Sequence, residues 1–162
     1  MEANPPVEGL AGARSQDPLM QTIGFQETIE ALSREDNRYN PEAYLFLRDS
    51  LEATIKRRKK SRKETSPHVG AIELLEGFRL HALNEFGPMS FMVLDYWGVR
   101  NTEDVGQMVF NLVQAGIFGK TDEDTLESFR SVFDFQESFV LPFRPEENPL
   151  NDEPPAEVEP TL

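Results

Sequence analysis

The sequence predicts a mainly α-helical protein with one compact domain of five or six short helices. Apolar residues recur at three- and four-residue spacing in successive segments, which is typical of helices that pack on one face. Residues that start or stop helices stand between these segments. Large apolar residues are concentrated away from both ends, and 162 residues fit one domain with a core. We therefore expect a helical domain over residues 20–143.

The first three helices are predicted over about residues 20–35, from Pro41 into the basic run, and from about residue 68 to Phe86. Asn40 is placed to cap the second helix, with Pro41 in the first turn, where a missing N–H costs nothing. Ser66-Pro67 marks the start of the third helix, and Gly87-Pro88 ends it. The apolar residues that define the three stripes are Ile23, Ile29 and Leu32, then Tyr44, Leu47, Leu51 and Ile55, then Ile72, Leu75, Phe78, Leu83 and Phe86.

Helix four, residues 89–97, is short and nearly all apolar, so we expect it to be buried. Gly98 stops it, and Thr102 is the expected cap of helix five, residues 102–116. Beyond Thr121 the spacing of the apolar residues favours a helix through Phe133. The alternative is a small hairpin near 117–133, because the same stretch alternates in places.

Both ends of the chain are predicted to be disordered, over residues 1–19 and 144–162. The first segment is rich in Pro, Gly, Ala and Ser, and the second is acidic and rich in Pro. Neither can bury enough apolar surface to offset the entropy of ordering. The first residues do not resemble a secretory signal, and no run approaches the roughly 18 apolar residues of a membrane helix. We expect a cytoplasmic protein without membrane association.

Composition disfavours several classes of function. The net charge of −13 opposes general affinity for nucleic acid, because phosphates would be repelled by most of the surface. The chain has no Cys, which excludes disulfides, thiolate metal sites and cysteine nucleophiles.

A basic run at the end of the second helix departs from the acidic average. Its cations are Lys56, Arg57, Arg58, Lys59, Lys60, Arg62 and Lys63. They could contact the phosphates of a nucleic acid, since Lys and Arg release counterions there. They could instead form a solvated helix end, which the macrodipole favours. A third interpretation pairs them with the acidic residues of 145–162 or of 122–124.

Helices four and five could form a helix-turn-helix, because the turn over residues 98–101 has a suitable length. Helix five would then be the recognition helix, with Gln107, Asn111 and Gln114 on its exposed face. Glu103 and Asp104 in its first turn would oppose phosphates, so we favour a helical hairpin within the core.

The candidate polar site residues are His68, His81 and Asp95. His81 and Glu85 are four residues apart on one helix face, a spacing that suits a metal but also arises by chance. Asp95 lies in an apolar stretch, where a buried carboxyl would have a raised pKa, although a bond to Arg100 is the simpler interpretation. No nucleophile–base pair accompanies them, so we predict no catalytic residue, metal ligand or cofactor.

One resemblance covers about half of the chain. The matching residues in order are His68-Val69, Glu73 to Gly77, Phe86 to Pro88, Trp97 to Val99, Thr102 to Asp104, Val109-Phe110, Leu112-Val113, Gly116, Lys120-Thr121, Asp124, Phe129 and Val132 to Phe135. On these residues the segment from His68 to Phe143 resembles an uncharacterised family of Planctomycetes and Verrucomicrobia. The resemblance implies a bacterial, intracellular setting and no particular activity.

The sequence thus predicts a non-catalytic protein-interaction or regulatory module, with a protein partner or a second copy as its ligand. In this interpretation an acidic tail competes for the cationic helix end. The alternative is a nucleic-acid-binding protein that uses residues 56–63 and the pair 89–97 and 102–116.

Overall fold

The computed structural model describes residues 18–61, 68–119 and 125–145. Within these ranges the fold consists of α-helices and three single turns of 3-10 helix, without a β-strand. The α-helices are α1 (Pro18–Glu35), α2 (Pro41–Ser61), α3 (Ala71–Phe86), α4 (Ser90–Tyr96), α5 (Thr102–Gln114) and α6 (Phe135–Phe139). The 3-10 turns are Gly87–Met89, Leu126–Phe129 and Leu141–Phe143. The predicted mainly α-helical class is confirmed.

Helices α2 and α3 form an antiparallel pair at the centre of the fold. Phe46, near the start of α2, stacks on residues in the second half of α3, with 5.3 Å between the ring centroids of Phe46 and Phe86. At the opposite end, Arg58 of α2 forms an ion pair with Glu73 in the first turn of α3. The two helices approach closely in between, because Gly77 has no side chain to displace the buried Thr54.

The core is built around this pair from all six helices. Tyr44, Leu47, Leu75 and Phe78 of α2 and α3 are fully buried. Each such side chain contributes roughly 1.5–3 kcal/mol relative to its exposed state. The other helices each add buried apolar residues, namely Phe25 and Ile29 from α1, Leu94 from α4, Val105, Met108 and Leu112 from α5, and Phe135 and Phe139 from α6.

Two helix starts test the predicted caps. The Asn40 side chain accepts a hydrogen bond from the Glu42 backbone N–H at 2.9 Å and α2 begins at Pro41, which confirms both predictions. The predicted cap of α5 is wrong by one residue. Asn101 caps this helix by accepting from the Asp104 N–H at 2.8 Å, while Thr102 is the first helical residue and is fully buried.

The stretch from 117 to 133 is neither the favoured helix nor the hairpin in the part that the structure describes. After Thr125 the chain makes the single 3-10 turn Leu126–Phe129, and Ser131 then takes a positive φ of 48°. Helix α5 supplies the reason. The backbone N–H groups of Ser131 and Val132 donate to the side chains of Glu103 at 2.9 Å and Thr102 at 3.2 Å, instead of to carbonyls within a longer helix.

Little of the two predicted disordered ends is described. Pro18 and Leu19 already belong to α1, and residues 144 and 145 follow the last 3-10 turn. Residues 1–17 and 146–162 lie outside the described residues, as do 122–124, Arg62 and Lys63 of the predicted charge pairs.

Candidate interaction surfaces

A polar network joins the turn between α1 and α2 to helix α5. Its side chains belong to Asp36, Arg38, Tyr39, Tyr44, Asp104, Gln107 and Asn111. The members lie far apart in sequence, with a separation of 65 positions from Tyr39 to Asp104 and of 75 positions from Asp36 to Asn111. Hydrogen bonds over such separations hold one end of α2 on α5.

Asp36 and Asn111 are the centre of this network. Arg38 donates to the Asp36 carboxylate in a fork, with distances of 2.8 Å to Oδ1 and 2.7 Å to Oδ2. The Asn111 Nδ2 group donates at 3.0 Å both to Asp36 Oδ2 and to the Tyr44 hydroxyl, and Asn111 Oδ1 accepts from Gln107 at 3.1 Å. Arg38 is the main reason that the pKa of Asp36 lies well below its usual range; burial opposes this effect and Asn111 supports it.

A second branch of the network holds the turn between α4 and α5. The Tyr39 hydroxyl donates to Asp104 Oδ1 at 2.8 Å, and the Arg100 backbone N–H donates to Oδ2 at 2.9 Å. Burial and then the contact with Asp104 raise the pKa of the Tyr39 phenol above its ordinary value. Gly98 has a φ of +86° and lies against the turn between α1 and α2. A Cβ at residue 98 would stand 2.1 Å from the Arg38 carbonyl oxygen.

The hydrogen bonds of this network occupy the polar side chains of α5 that a recognition helix would use to contact DNA. Asn111 was predicted on the exposed face of α5, and the structure shows that it is buried instead. Gln107 donates to it, and Asp104 is engaged by Tyr39 and Arg100. The exposed residues of α5 are Phe110 and Gln114. The helix therefore presents no row of donors and acceptors to a DNA groove.

The described part of the basic run forms a cationic face at the far end of α2, made of Lys56, Arg57, Lys59 and Lys60. All four side chains are exposed. Arg58 points the other way, towards α3, where it donates to the Glu73 carboxylate and, at 3.0 Å, to the His68 carbonyl.

The cationic face and α5 lie at different ends of α2. Helix α5 contacts α2 at Tyr44, whereas Lys60 lies 16 residues further along, about 24 Å at the rise of an α-helix. A nucleic acid that contacted both would have to span that distance. The arrangement does not support the two being one recognition surface.

A third surface lies on α4, and here the expectation of a buried helix is wrong. Ser90 and Leu94 are buried, but Met89, Met92 and Tyr96 are exposed by 51%, 63% and 80%. We call these three residues the apolar face of α4. Met89 is the N-terminal cap of α4 and ends the preceding 3-10 turn, and Met92 and Tyr96 follow it at spacings of three and four residues, so the three line one side of the helix and its cap. Ser90 fixes the opposite side, because its hydroxyl donates to the Ala82 carbonyl at 2.9 Å and the Gly87 carbonyl at 2.6 Å.

The candidate polar residues do not form a common site. His68 precedes α3 and is exposed, with its carbonyl bound to Arg58. His81 packs its ring against Phe46, with 4.8 Å between ring centroids. Asp95 is exposed at the end of α4, where Oδ1 accepts from Arg100 Nε at 2.9 Å.

The described residues also lack the features of two other kinds of site. They contain no group of three or more His, Cys, Asp or Glu side chains placed to hold a metal ion. Among the same residues, no helix combines the length and the apolar character needed to cross a bilayer.

Sequence reasoning missed the polar network and the apolar face of α4. Nothing in the sequence pairs Asp36 with Asn111. The spacing of Met89, Met92 and Tyr96 was visible, but the other side of the helix is apolar as well, so the pattern did not show which side is covered.

Comparisons with known proteins add no further identification. Matched against protein families, curated proteins and solved structures, the chain has no significant match in any of the three. The resemblance to the planctomycete and verrucomicrobial family therefore stays a prediction.

Proposed function

We propose that the chain is a non-catalytic protein-interaction module that docks an amphipathic helix of a partner protein on the apolar face of α4. The observation that carries the proposal is the exposure of Met89, Met92 and Tyr96 on one side of a helix whose other side is fixed in the core. Apolar side chains grouped in this way on a surface mark interaction sites more often than scattered ones do.

The spacing of these residues supports a helix as the occupant. Side chains at i, i+3 and i+7 form a ridge, and a second helix packs against such a ridge with its own row of apolar residues. Met and Tyr also suit this role, because aromatic residues and Met are enriched at interfaces and a flexible thioether adapts to different partners.

The charges near the apolar face support a basic partner. Glu85 is exposed just before the turn that leads into α4, and Asp95 is exposed on the helix itself. Arg100 pairs with Asp95 but leaves the carboxylate 53% exposed. A helix with an apolar stripe and flanking Lys or Arg would meet complementary charge at Asp95 on α4 and at Glu85, four residues before Met89 in the chain.

The same proposal includes a bacterial cytoplasmic setting, which is supported by the family resemblance alone. We do not favour the nucleic-acid alternative, because the polar side chains of α5 are bonded within the fold and the cationic face lies at the other end of α2.

The proposal can be tested by titrating the isotope-labelled full chain with a synthetic basic amphipathic helix. The probe carries Leu at helical spacing and Lys elsewhere, and a second peptide has the same composition in scrambled order. We expect the helical peptide to shift the amide resonances of residues 88–96, and the scrambled peptide to bind much more weakly. Met92→Glu should abolish these shifts. Ile72→Glu, which alters a side chain of nearly the same exposure (61%) on α3, should not.

Three outcomes would contradict the proposal. The first is no binding, and the second is shifts elsewhere on the surface, as expected if the peptide is held by general charge attraction. The third is binding that survives Met92→Glu. If the amide resonances of residues 88–96 shift with protein concentration in the absence of peptide, the occupant of the apolar face is a second copy of the chain instead of a partner helix.

A further inference from the structure

We infer that the acidic segment 146–162 of the same chain docks on the cationic face of α2. The inference is independent of the apolar face of α4. It depends on the direction of the basic side chains, on the lack of carboxylate partners for them in the described structure, and on complementary charge elsewhere in the chain.

The direction of the side chains separates the basic residues into two groups. Arg58 is used within the fold, since it links α2 to Glu73 and to the backbone before α3. Lys56, Lys59 and Lys60 are three and four residues apart and so share the side of α2 that faces away from α3. Arg57 widens this side, and all four charges reach solvent.

Carboxylates of the described residues do not neutralise these four charges. None of the four forms an ion pair within 18–61, 68–119 and 125–145. Glu52 stands one turn before Lys56 and is exposed, yet the two are not paired. Arg57 acts only weakly on Glu76, whose pKa is held below its usual range mainly by Arg79.

Grouping these cations has an electrostatic cost. Like charges at three- and four-residue spacing repel each other on a helix. The helix macrodipole offsets part of this repulsion at the C-terminal end of α2. An anionic ligand would remove the rest.

The chain itself contains a ligand of matching charge. Segment 146–162 contains Glu146, Glu147, Asp152, Glu153, Glu157 and Glu159, and it has no Lys or Arg. These 17 residues could extend to roughly 55–60 Å. A compact domain of this size has a radius of gyration of about 13 Å, so every point of its surface lies within that reach.

Attachment to the same chain favours this occupant over a free anion. A tethered ligand is present at an effective concentration in the millimolar range, whereas a free competitor must supply its own concentration. The docked segment would therefore screen the cationic face from phosphates and from acidic partners until one of them binds more tightly.

The test uses the absence of Cys from the natural chain. Ala156→Cys introduces a single thiol within the acidic segment for a nitroxide spin label. In the isotope-labelled full chain at about 10 mM salt, where the Debye length is about 30 Å, we expect the label to broaden the amide signals of residues 56–60. The broadening should disappear near 1 M salt, where the Debye length is about 3 Å.

Two charge variants of the labelled chain complete the experiment. Replacing Lys56, Arg57, Lys59 and Lys60 together by Gln should remove the broadening at α2. Replacing Arg130 and Arg144 by Gln, which are also exposed, should leave it unchanged. The replaced side chains reach solvent, so both variants should keep a dispersed amide spectrum.

Several results would overturn the inference. One is broadening spread evenly over the surface, and another is broadening that survives the fourfold Gln variant. A third comes from mixing spin-labelled unenriched chains with unlabelled isotope-enriched chains. Equal broadening in that mixture would assign the contact to a second copy instead of the same chain.

Discussion

The two ends of helix α2 use their polar residues in different ways. At the start of the helix, the charges and hydroxyls of the polar network are bonded to one another and to α5. At the other end, Arg58 alone is shown in such an internal contact, while Lys56, Arg57, Lys59 and Lys60 face solvent. The polar residues at the first end are therefore bonded within the fold, whereas most of the charges at the second end are accessible to a ligand.

The difference shows that the role of a polar side chain depends on the groups that it contacts in the fold, which its residue type alone does not indicate. Gln107 and Asn111 look like surface side chains in the sequence, but they are joined to each other and to Asp36. The cations at the end of α2 are equally polar, and nothing in the described structure covers them. Substitutions at the first end should therefore change stability, whereas those on the cationic face should change binding.

Gly98→Ala should lower the free energy of unfolding more than any other variant below. A side chain at residue 98 would push the turn before α5 away from the turn before α2. The new methyl group would lie 2.1 Å from the Arg38 carbonyl oxygen at a φ of +86°. We expect the free energy of unfolding to fall by about 3 kcal/mol or more. Urea denaturation followed by circular dichroism measures this loss.

Gly116→Ala is the matched control for that variant. Its φ is +77°, but among the described residues no atom beyond its two chain neighbours lies within 4 Å of the new methyl group, so we expect only the backbone strain of about 1–2 kcal/mol. Equal losses in the two variants would show that the close approach at Gly98 contributes nothing.

Tyr39→Phe should have an intermediate effect that depends on pH. The variant loses the hydrogen bond to Asp104, and we expect a decrease of about 1–2 kcal/mol in the free energy of unfolding at pH 7. Because the folded protein raises the pKa of Tyr39, the unfolded chain ionises first, near pH 10. The stability linked to this group is thus complete below pH 10 and is lost as the pH rises above it.

The alkaline loss of stability should therefore be smaller in Tyr39→Phe than in the natural chain. Unfolding measured from pH 7 to pH 11 tests both parts of the prediction. Tyr96→Phe provides the control at pH 7, since Tyr96 is 80% exposed and the loss of its hydroxyl should leave the free energy of unfolding unchanged. An unchanged alkaline slope in Tyr39→Phe would mean that Tyr39 ionises equally in the folded and unfolded states.

The smallest effect is expected at the other end of α2, from Arg58→Gln compared with Lys59→Gln. Arg58 loses its bonds to Glu73 and to the His68 carbonyl, at a cost of about 0.5–1 kcal/mol for a partly exposed ion pair. Lys59 has no ion pair among the described residues, so its replacement should stay within about 0.5 kcal/mol. Thermal unfolding of both variants at low salt makes the comparison, and a larger loss for Lys59→Gln would refute the division of the basic run.

Much of the helical architecture could be predicted from local patterns. The cap at Asn40, the start of α2 at Pro41 and the apolar stripe of α2 each depend on residues within a few positions of one another. Such signals report backbone geometry and periodicity directly, which is why the helical class follows from them.

The candidate surfaces depend on contacts that these patterns do not contain. The side of α4 that is covered is set by hydrogen bonds from Ser90 to the preceding helix and turn. The turn at 126–129 stays short because Glu103 and Thr102 bind the N–H groups that a longer helix would need. In both places a tertiary contact overrides a local preference.

The sequence separation within the polar network has a consequence for the order of folding. The hydrogen bonds that join its two parts, from residues 36–44 to residues 104–111, close loops of 65 to 75 residues, whereas the Arg58–Glu73 contact closes one of only 15. Short loops close at a lower entropic cost, so we expect the α2–α3 hairpin to form before the transition state and the polar network after it. Loss of a network hydrogen bond should then accelerate unfolding and leave the refolding rate almost unchanged.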